Sequence, residues 1–361
     1  ILDDTTFKTE AGTPIPYMII SDKAPKGPDE VDEDKGVVYV NCNIHSGEVE
    51  GKEATMIFAR EVAQGKHDDL LKDLVVVIVP NSNPDGNDDL GKNRIETQFT
   101  PKMVGTRTEG NGLNVNRDMT KLETACGRTI VQLMNDWNPI LFIDAHATDG
   151  SYMRHAVTYN WGLNAGTDPE LLEYNRDVFC SRALRKGSYL ESKDKVAVPY
   201  GNWGYYYSGI VDEGWRTFED YARYTTNYAG LRNRLALLLE VYSYDKFPVR
   251  VETQYECIYG ALKVVAKDKD EIKEMIAAAD ARSKDRAKNG IDPERDIVAL
   301  NSEMTPMPFE GKDKLTVLSY ETDEEGQVIG TRLYDESLLT MRRSTGAHSY
   351  QRMWKLWELT I

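Results

Sequence analysis

The chain has 361 residues, 40% apolar and 29% charged, so it can bury a large core and has ordinary globular composition. Its 59 acidic against 44 basic side chains give a formal net charge of −15, which repels phosphate backbones and excludes nucleic acid as a partner. The longest apolar runs, LVVVIV at 74–79 and LALLL at 235–239, are far shorter than the ~20 residues that span a membrane.

The chain opens ILDDTT, without an initiator Met, from which we expect removal of a secretory signal peptide and an extracytoplasmic (periplasmic or secreted) location. GVVYVN (36–41) reads as a buried strand. In 51–64, Ala54, Ile57, Phe58 and Val62 share one helical face and Gly65 supplies a stop. DLVVVIVP (73–80) is a second strand, ended by the turn sequence NSNPDG (81–86). Leu122, Cys126, Ile130, Leu133, Met134 and Trp137 form a helical stripe over 122–137, which Pro139 stops. ILFIDAH (140–146) follows as a strand, and the Gly- and Tyr-rich text of 200–230 reads as long loops walling a pocket. RLALLLEVYSY (234–244) is another buried strand, leading into a helix at about 251–265. The charged stretch 267–290 reads as a separate amphipathic helix, 289–296 as a connector, and the remainder, with TVLSYET and a DEEGQ turn, as a small β-rich region. Strands alternating with helices predict an α/β sheet. We set a boundary near 266, with residues 1–266 as the catalytic unit and 267–361 as a helical linker and small C-terminal α+β appendage. Four widely spaced cysteines, Cys42, Cys126, Cys180 and Cys257, with no C-x-x-C, suggest neither a zinc knuckle nor a dense disulfide framework.

Open α/β sheets bind ligands at the carboxyl ends of their strands. His45 and Glu48 follow the strand at 36–43, His146 closes 140–146, and Glu240 interrupts the apolar run 235–241. A carboxylate buried in such a run costs several kcal/mol unless it is paired, protonated or bound to metal. Two histidines and a carboxylate are the ligand set of catalytic zinc, and a further carboxylate then serves as base. An isolated His-x-x-Glu is most often an ordinary polar turn, so the intervening segments decide.

Those segments are NSNPDG (81–86), GKNR (91–94) and GLNVNRD (112–118). With H-x-x-E at His45 and Glu48, the strand-ending His146 and the late Glu240, the order resembles the bacterial-type branch of the zinc carboxypeptidase family, over roughly residues 12–265. The resemblance implies a mixed, largely parallel twisted sheet flanked by helices. It also implies one Zn2+ per chain on His45, Glu48 and His146, with Glu240 as general base and proton shuttle. Arg94 would polarise the scissile carbonyl, and Asn116 with Arg117 would clamp the terminal carboxylate of a peptide substrate. A family tyrosine falls among Tyr221, Tyr224 and Tyr228, of which we take Tyr224. Ser46 has no base beside it, so a serine nucleophile is not expected.

The chain departs from the family at Asn114, where an aspartate commonly buttresses the first zinc histidine; Asp118 or Asp144 could substitute. His67, His155 and His348 lack a partner motif and read as structural, and Arg232 and Arg234 as salt-bridging surface residues. Two alternatives stand beside a metallocarboxypeptidase. One is an N-acyl amino acid amidohydrolase of the aspartoacylase or succinylglutamate desuccinylase type, and the other is an inactive peptide-binding relative. Oligomeric state has no signature in the sequence.

Overall fold

The structure is a computed structural model and describes residues 7–23, 25–92, 100–151, 153–185, 187–203, 215–290, 302–307, 315–322, 328–336 and 338–343. Seven strands build the central sheet: β1 (Met18–Ile20), β2 (Gly36–Cys42), β3 (Leu74–Val79), β4 (Leu141–Thr148), β5 (Val157–Asn160), β6 (Ala197–Pro199) and β7 (Leu235–Tyr242). Their spatial order is β1-β3-β2-β4-β7-β5-β6. β1 runs antiparallel to β3 and β5 antiparallel to β7, and the other neighbours are parallel. The sheet is therefore mixed and mostly parallel, as expected.

Because side chains alternate along a strand, each buried run serves two cores. Val38, Val40 and Cys42 of β2 face α1 (Glu50–Ala63) and α4 (Phe247–Asn289), where they join Phe58, Cys257, Ala261, Leu262 and Val265. Val37 and Tyr39 face the other way, toward α2 (Ala125–Trp137) and α3 (Thr225–Leu231), with Ile130, Leu133, Met134 and Ala229. Truncating a core side chain such as the fully buried Ile130 to alanine costs ~2–5 kcal/mol.

Several boundaries differ from the sequence reading. α2 starts at Ala125 because Asp118 takes the N–H groups of Glu123 and Thr124 and the Thr124 hydroxyl, holding 118–124 as a turn. Thr124 then caps the helix by accepting from Gly127 N. A short helix, Pro84–Asp88, begins within NSNPDG and is capped by Asn83 through Gly86 N. The segment 200–230 is not loop throughout: Asn202–Trp203 pairs with Trp215–Arg216, and α3 follows. The helices expected on either side of 266 are one, α4. Leu262, Val265, Ile272, Ile276 and Ala279 continue the buried stripe through the charged stretch, and no glycine or proline interrupts 261–289.

Beyond α4, Ser302–Met307 pairs with Leu338–Arg343, which extends the Trp215–Arg216 pair in parallel. Leu315–Thr322 and Val328–Glu336 form a two-stranded ladder, and the DEEGQ turn between them lies outside the described residues. No helix among the described residues is long and apolar enough to cross a membrane. The four cysteines are buried and free.

Candidate metal and active site

β2, β4 and β7 lie side by side and deliver their carboxyl ends to one place. In the register, Asn41 pairs with Asp144 and His146 with Glu240, so two site residues are direct cross-strand neighbours. Asp144, His146, Leu238 and Glu240 fall on the α2/α3 side by the period-2 rule that sends Phe142 and Ala236 there. His146 lies two residues before the end of β4 rather than closing it.

After β2 the chain turns through Asn43, whose φ of 59° is left-handed. The 45–48 turn is closed by Glu48 N donating to His45 O at 2.9 Å. Gly51 lets α1 begin against β4: a Cβ there would lie 2.6 Å from Ala145 Cβ.

Glu48 is the hub. Its Oε1 lies 2.9 Å from His45 Nδ1 and accepts from Arg107 Nη1 at 3.0 Å. Its Oε2 lies 2.7 Å from His146 Nδ1 and accepts from Ala147 N at 3.2 Å. The opposite ring nitrogens face acceptors as well: His45 Nε2 meets Asn114 Oδ1 at 3.1 Å, and His146 Nε2 meets Asp144 Oδ2 at 2.9 Å. Asn116 N donates to the same Asn114 oxygen at 3.0 Å, which fixes the amide's orientation. Asp144 is fixed in turn by Asn41 Nδ2 at 2.9 Å and by the Thr225 hydroxyl.

This pattern tests the fit to a metal. Acceptors at both Nε2 atoms call for N–H there, which leaves the Nδ1 lone pairs directed at Glu48. Lone pairs do not attract one another, so the arrangement needs positive charge among them. The donor atoms of His45, Glu48 and His146 lie within 4.8 Å of one another, close enough to hold one metal ion. The proton is the alternative cation. Burial works against charge on His146, but the carboxylates of Asp144 and Glu48 raise its pKa well above the usual value, whereas burial pushes His45 down to about 4.

Beside the triad is a cavity of about 170 Å³ lined by His45, Arg107, Asn116, Arg117, Tyr224, Leu238 and Glu240, with Tyr200 and Phe218 on its wall. Burial pushes Glu240 up to about 8, against the opposing charge of His146. Arg117 donates to Asn116 O at 2.7 Å and lies 4.4 Å over the Tyr224 ring. Tyr224 immediately precedes α3, donates to Glu219 at 3.2 Å and packs edge-on against Phe218. Tyr221 is 51% exposed, and Tyr228 accepts from Arg232 at 3.1 Å.

The structure thus brings together His45, Glu48, His146, Glu240, Asn116, Arg117 and Tyr224. Arg94 lies outside the described residues, as does His348. Arg107, which the sequence reading passed over, is the arginine on Glu48. Met103–Val104 pairs back onto Gly91–Lys92, and Gly105 packs against the 45–48 turn, donating to Ser46 O at 3.1 Å. Asp144 supports His146 rather than His45, and Asp118 belongs to the turn before α2. Asn114 itself stands behind His45. Ser46 donates to Asn83 O at 2.7 Å, a structural bond. His67 pairs with Glu61 at 3.0 Å, away from the site, and Arg234 pairs with Asp280.

The sequence model of the family described as Zinc carboxypeptidase matches residues 5–124. No curated protein matches the sequence. The fold is similar to a metallo-carboxypeptidase from Pseudomonas aeruginosa, solved with (2-guanidinoethylmercapto)succinic acid, at 16% identity and a TM-score of 0.51, covering 73% of this chain and 63% of that one. A metallo-carboxypeptidase from Burkholderia cenocepacia matches at 16% identity and a TM-score of 0.48, covering 73% of this chain and 63% of that one. The carboxypeptidase A of Helicoverpa armigera matches at 15% identity and a TM-score of 0.40, covering 75% and 66%. The chain therefore spans less than two thirds of the length of both bacterial enzymes.

Proposed function

We propose that this chain is a zinc carboxypeptidase family protein, a reading supported by the family-model match over residues 5–124 and by the likeness of its fold, and that it hydrolyses a peptide or amide bond beside a free C-terminal carboxylate. The observation that carries the reading is the convergence of His45, Glu48 and His146 beside a cavity that also holds Glu240, Arg107 and Arg117.

In this reading His45, Glu48 and His146 hold one zinc ion per chain. Bound there, zinc would supply a Lewis acid and lower the pKa of water to ~7. Glu240, the carboxylate that lines the cavity beside the triad, would take a proton from the attacking water and pass it to the leaving amine. Arg107 faces the developing negative charge on the scissile carbonyl oxygen, the role expected of Arg94; one such donor is worth ~3–4 kcal/mol in a transition state. Asn116 and Arg117 hold the substrate's carboxylate, which suits the planar guanidinium because it pairs bidentately. Tyr224 stacks beneath Arg117 and steadies it. Every residue given a role precedes 266, and the functional boundary near that position is part of the proposal.

Matched peptides with free and amidated C-termini, run beside N-acyl amino acids, test this. Cleavage confined to free C-termini is expected, and Arg117→Lys should raise KM for them. Equal cleavage of amidated peptides would remove the carboxylate-binding role of Arg117. A strong preference for N-acyl amino acids would replace the peptidase reading with the amidohydrolase one.

A further inference from the structure

Arg250 and Glu50 form an ion pair that the proposed chemistry does not use, and their side chains are shut off from solvent, at 1% and 0% exposure. A buried pair recovers its desolvation cost only when the remaining donors and acceptors find partners. Two of Arg250's nitrogens find them on the main chain, Nη1 donating to Ser243 O at 2.8 Å and Nη2 to Thr100 O, while Arg250 Nε and both Glu50 oxygens have no hydrogen-bond partner among the described residues. Nη2 also lies 2.9 Å from Glu50 Oε1, close enough to pair though not aligned as a hydrogen bond. Among the described residues, Arg250 is the one cation paired with this carboxylate.

The three partners come from separate parts of the chain, and each leads to a different part of the site. Glu50 opens α1, two residues after the ligand Glu48. Ser243 follows β7, three residues after Glu240. Thr100 stands ahead of the Met103–Val104 strand and the Gly105 contact that brings Arg107 to Glu48. Arg250 itself sits in the first turn of α4, whose residues Cys257 and Ala261 pack in the same core as Phe58 of α1.

We propose that Arg250 is a positioning residue: one buried guanidinium fastens the metal-ligand turn, the strand that carries Glu240 and the loop that carries Arg107, and so sets the spacing of the three. The inference rests on the functional reading above, because that reading gives the spacing its purpose. A planar guanidinium can donate to two main-chain oxygens in fixed directions while its charge stays beside the carboxylate, whereas an ammonium on a flexible stem cannot reproduce the fork.

The test compares Arg250→Lys, the double variant Arg250→Met with Glu50→Met, and Ile272→Ala, a core truncation farther along the same helix. Zinc affinity by chelator competition, kcat and KM on a free-C-terminus peptide, and hydrogen exchange are measured on the full chain. Arg250→Lys is expected to lower zinc affinity about 10- to 100-fold. Its kcat should fall about 100-fold with little change in KM, since displacement of a reacting group by an ångström costs that much. Segments 45–50, 100–108 and 240–244 should lose protection together. The double variant removes both charges, so it should keep its stability and still turn over slowly. Ile272→Ala should lower Tm and leave kcat and zinc affinity unchanged. A stable double variant with wild-type kcat and zinc affinity overturns the proposal. If the wild-type chain binds no zinc and cleaves no peptide, the functional reading fails. Hydrogen exchange still decides the positioning role in that case: loss in all three segments supports it, and loss confined to 247–254 overturns it.

Discussion

Replacing Asn114 by leucine isolates the acceptor behind His45. The Asn114 oxygen takes two N–H groups, His45 Nε2 at 3.1 Å and the Asn116 main chain at 3.0 Å. Leucine keeps much of the shape and offers no oxygen. The N–H of a ring only 3% exposed then loses its partner, at a cost of about 1–3 kcal/mol. That cost falls mainly on metal binding, because the metal-bound ring must be neutral and carry its proton on Nε2. Zinc affinity should therefore fall by roughly 10- to 100-fold, as expected when a partner of a ligating histidine is removed. At ~1.4 kcal/mol per decade this spans about 1.4–2.8 kcal/mol, consistent with the hydrogen-bond cost. Asn114→Asp should act in the opposite direction, since a carboxylate at the same place makes the ring more basic. Competition against a chromophoric chelator at fixed pH measures both. Wild-type affinity in Asn114→Leu would refute the reasoning, because the amide would then not be what orients His45.

Two further perturbations probe the frame and the pH response. At Gly105 an added Cβ would lie 2.3 Å from Gly86 O and 2.7 Å from Ser46 O, both backbone atoms, so Gly105→Ala should cost about 1–3 kcal/mol in urea unfolding and reduce turnover by displacing Arg107; an unchanged urea midpoint would contradict the packing. Burial, with Arg185 adding to it, pushes His155 down to about 4 from an ordinary value of 6.5, so the folded chain keeps it neutral while the unfolded chain protonates it. Stability from this residue is complete above pH ~6.5 and drains as pH falls toward 4, by up to ~1.4 kcal/mol per pH unit. His155→Gln should flatten the fall in urea midpoint between those pH values, and a slope identical to wild type would count against it.

Much of the fold was legible because both faces of the sheet are covered, which makes β2, β3, β4 and β7 read as near-continuous apolar runs. His45, Glu48, His146 and Glu240 were legible for the same reason: each is a polar group at the end of, or within, such a run. Arg107 was not. It lies on a loop shaped by the close approach of Gly105 to the 45–48 turn, and a loop has no period to betray a side chain's direction. Arg94, expected from the K-x-R text at 92–94, lies outside the described residues. The single informative signal near Arg107 was the glycine two residues before it. Asp144, two residues before His146, shares its face of the strand, but its partner followed from the register with Asn41, which sequence alone does not supply. The unbroken α4 could have been recognised from Ile272, Ile276 and Ala279, whose helical spacing continues beneath the charges that suggested a separate surface helix.

The most direct test of the central claim is Glu240→Gln, which keeps the side chain's shape and removes the base. The account predicts one zinc per chain, as in the wild type, with hydrolysis of a free-C-terminus peptide reduced by about 10²- to 10⁴-fold. Wild-type turnover by Glu240→Gln, with zinc still bound, would contradict it.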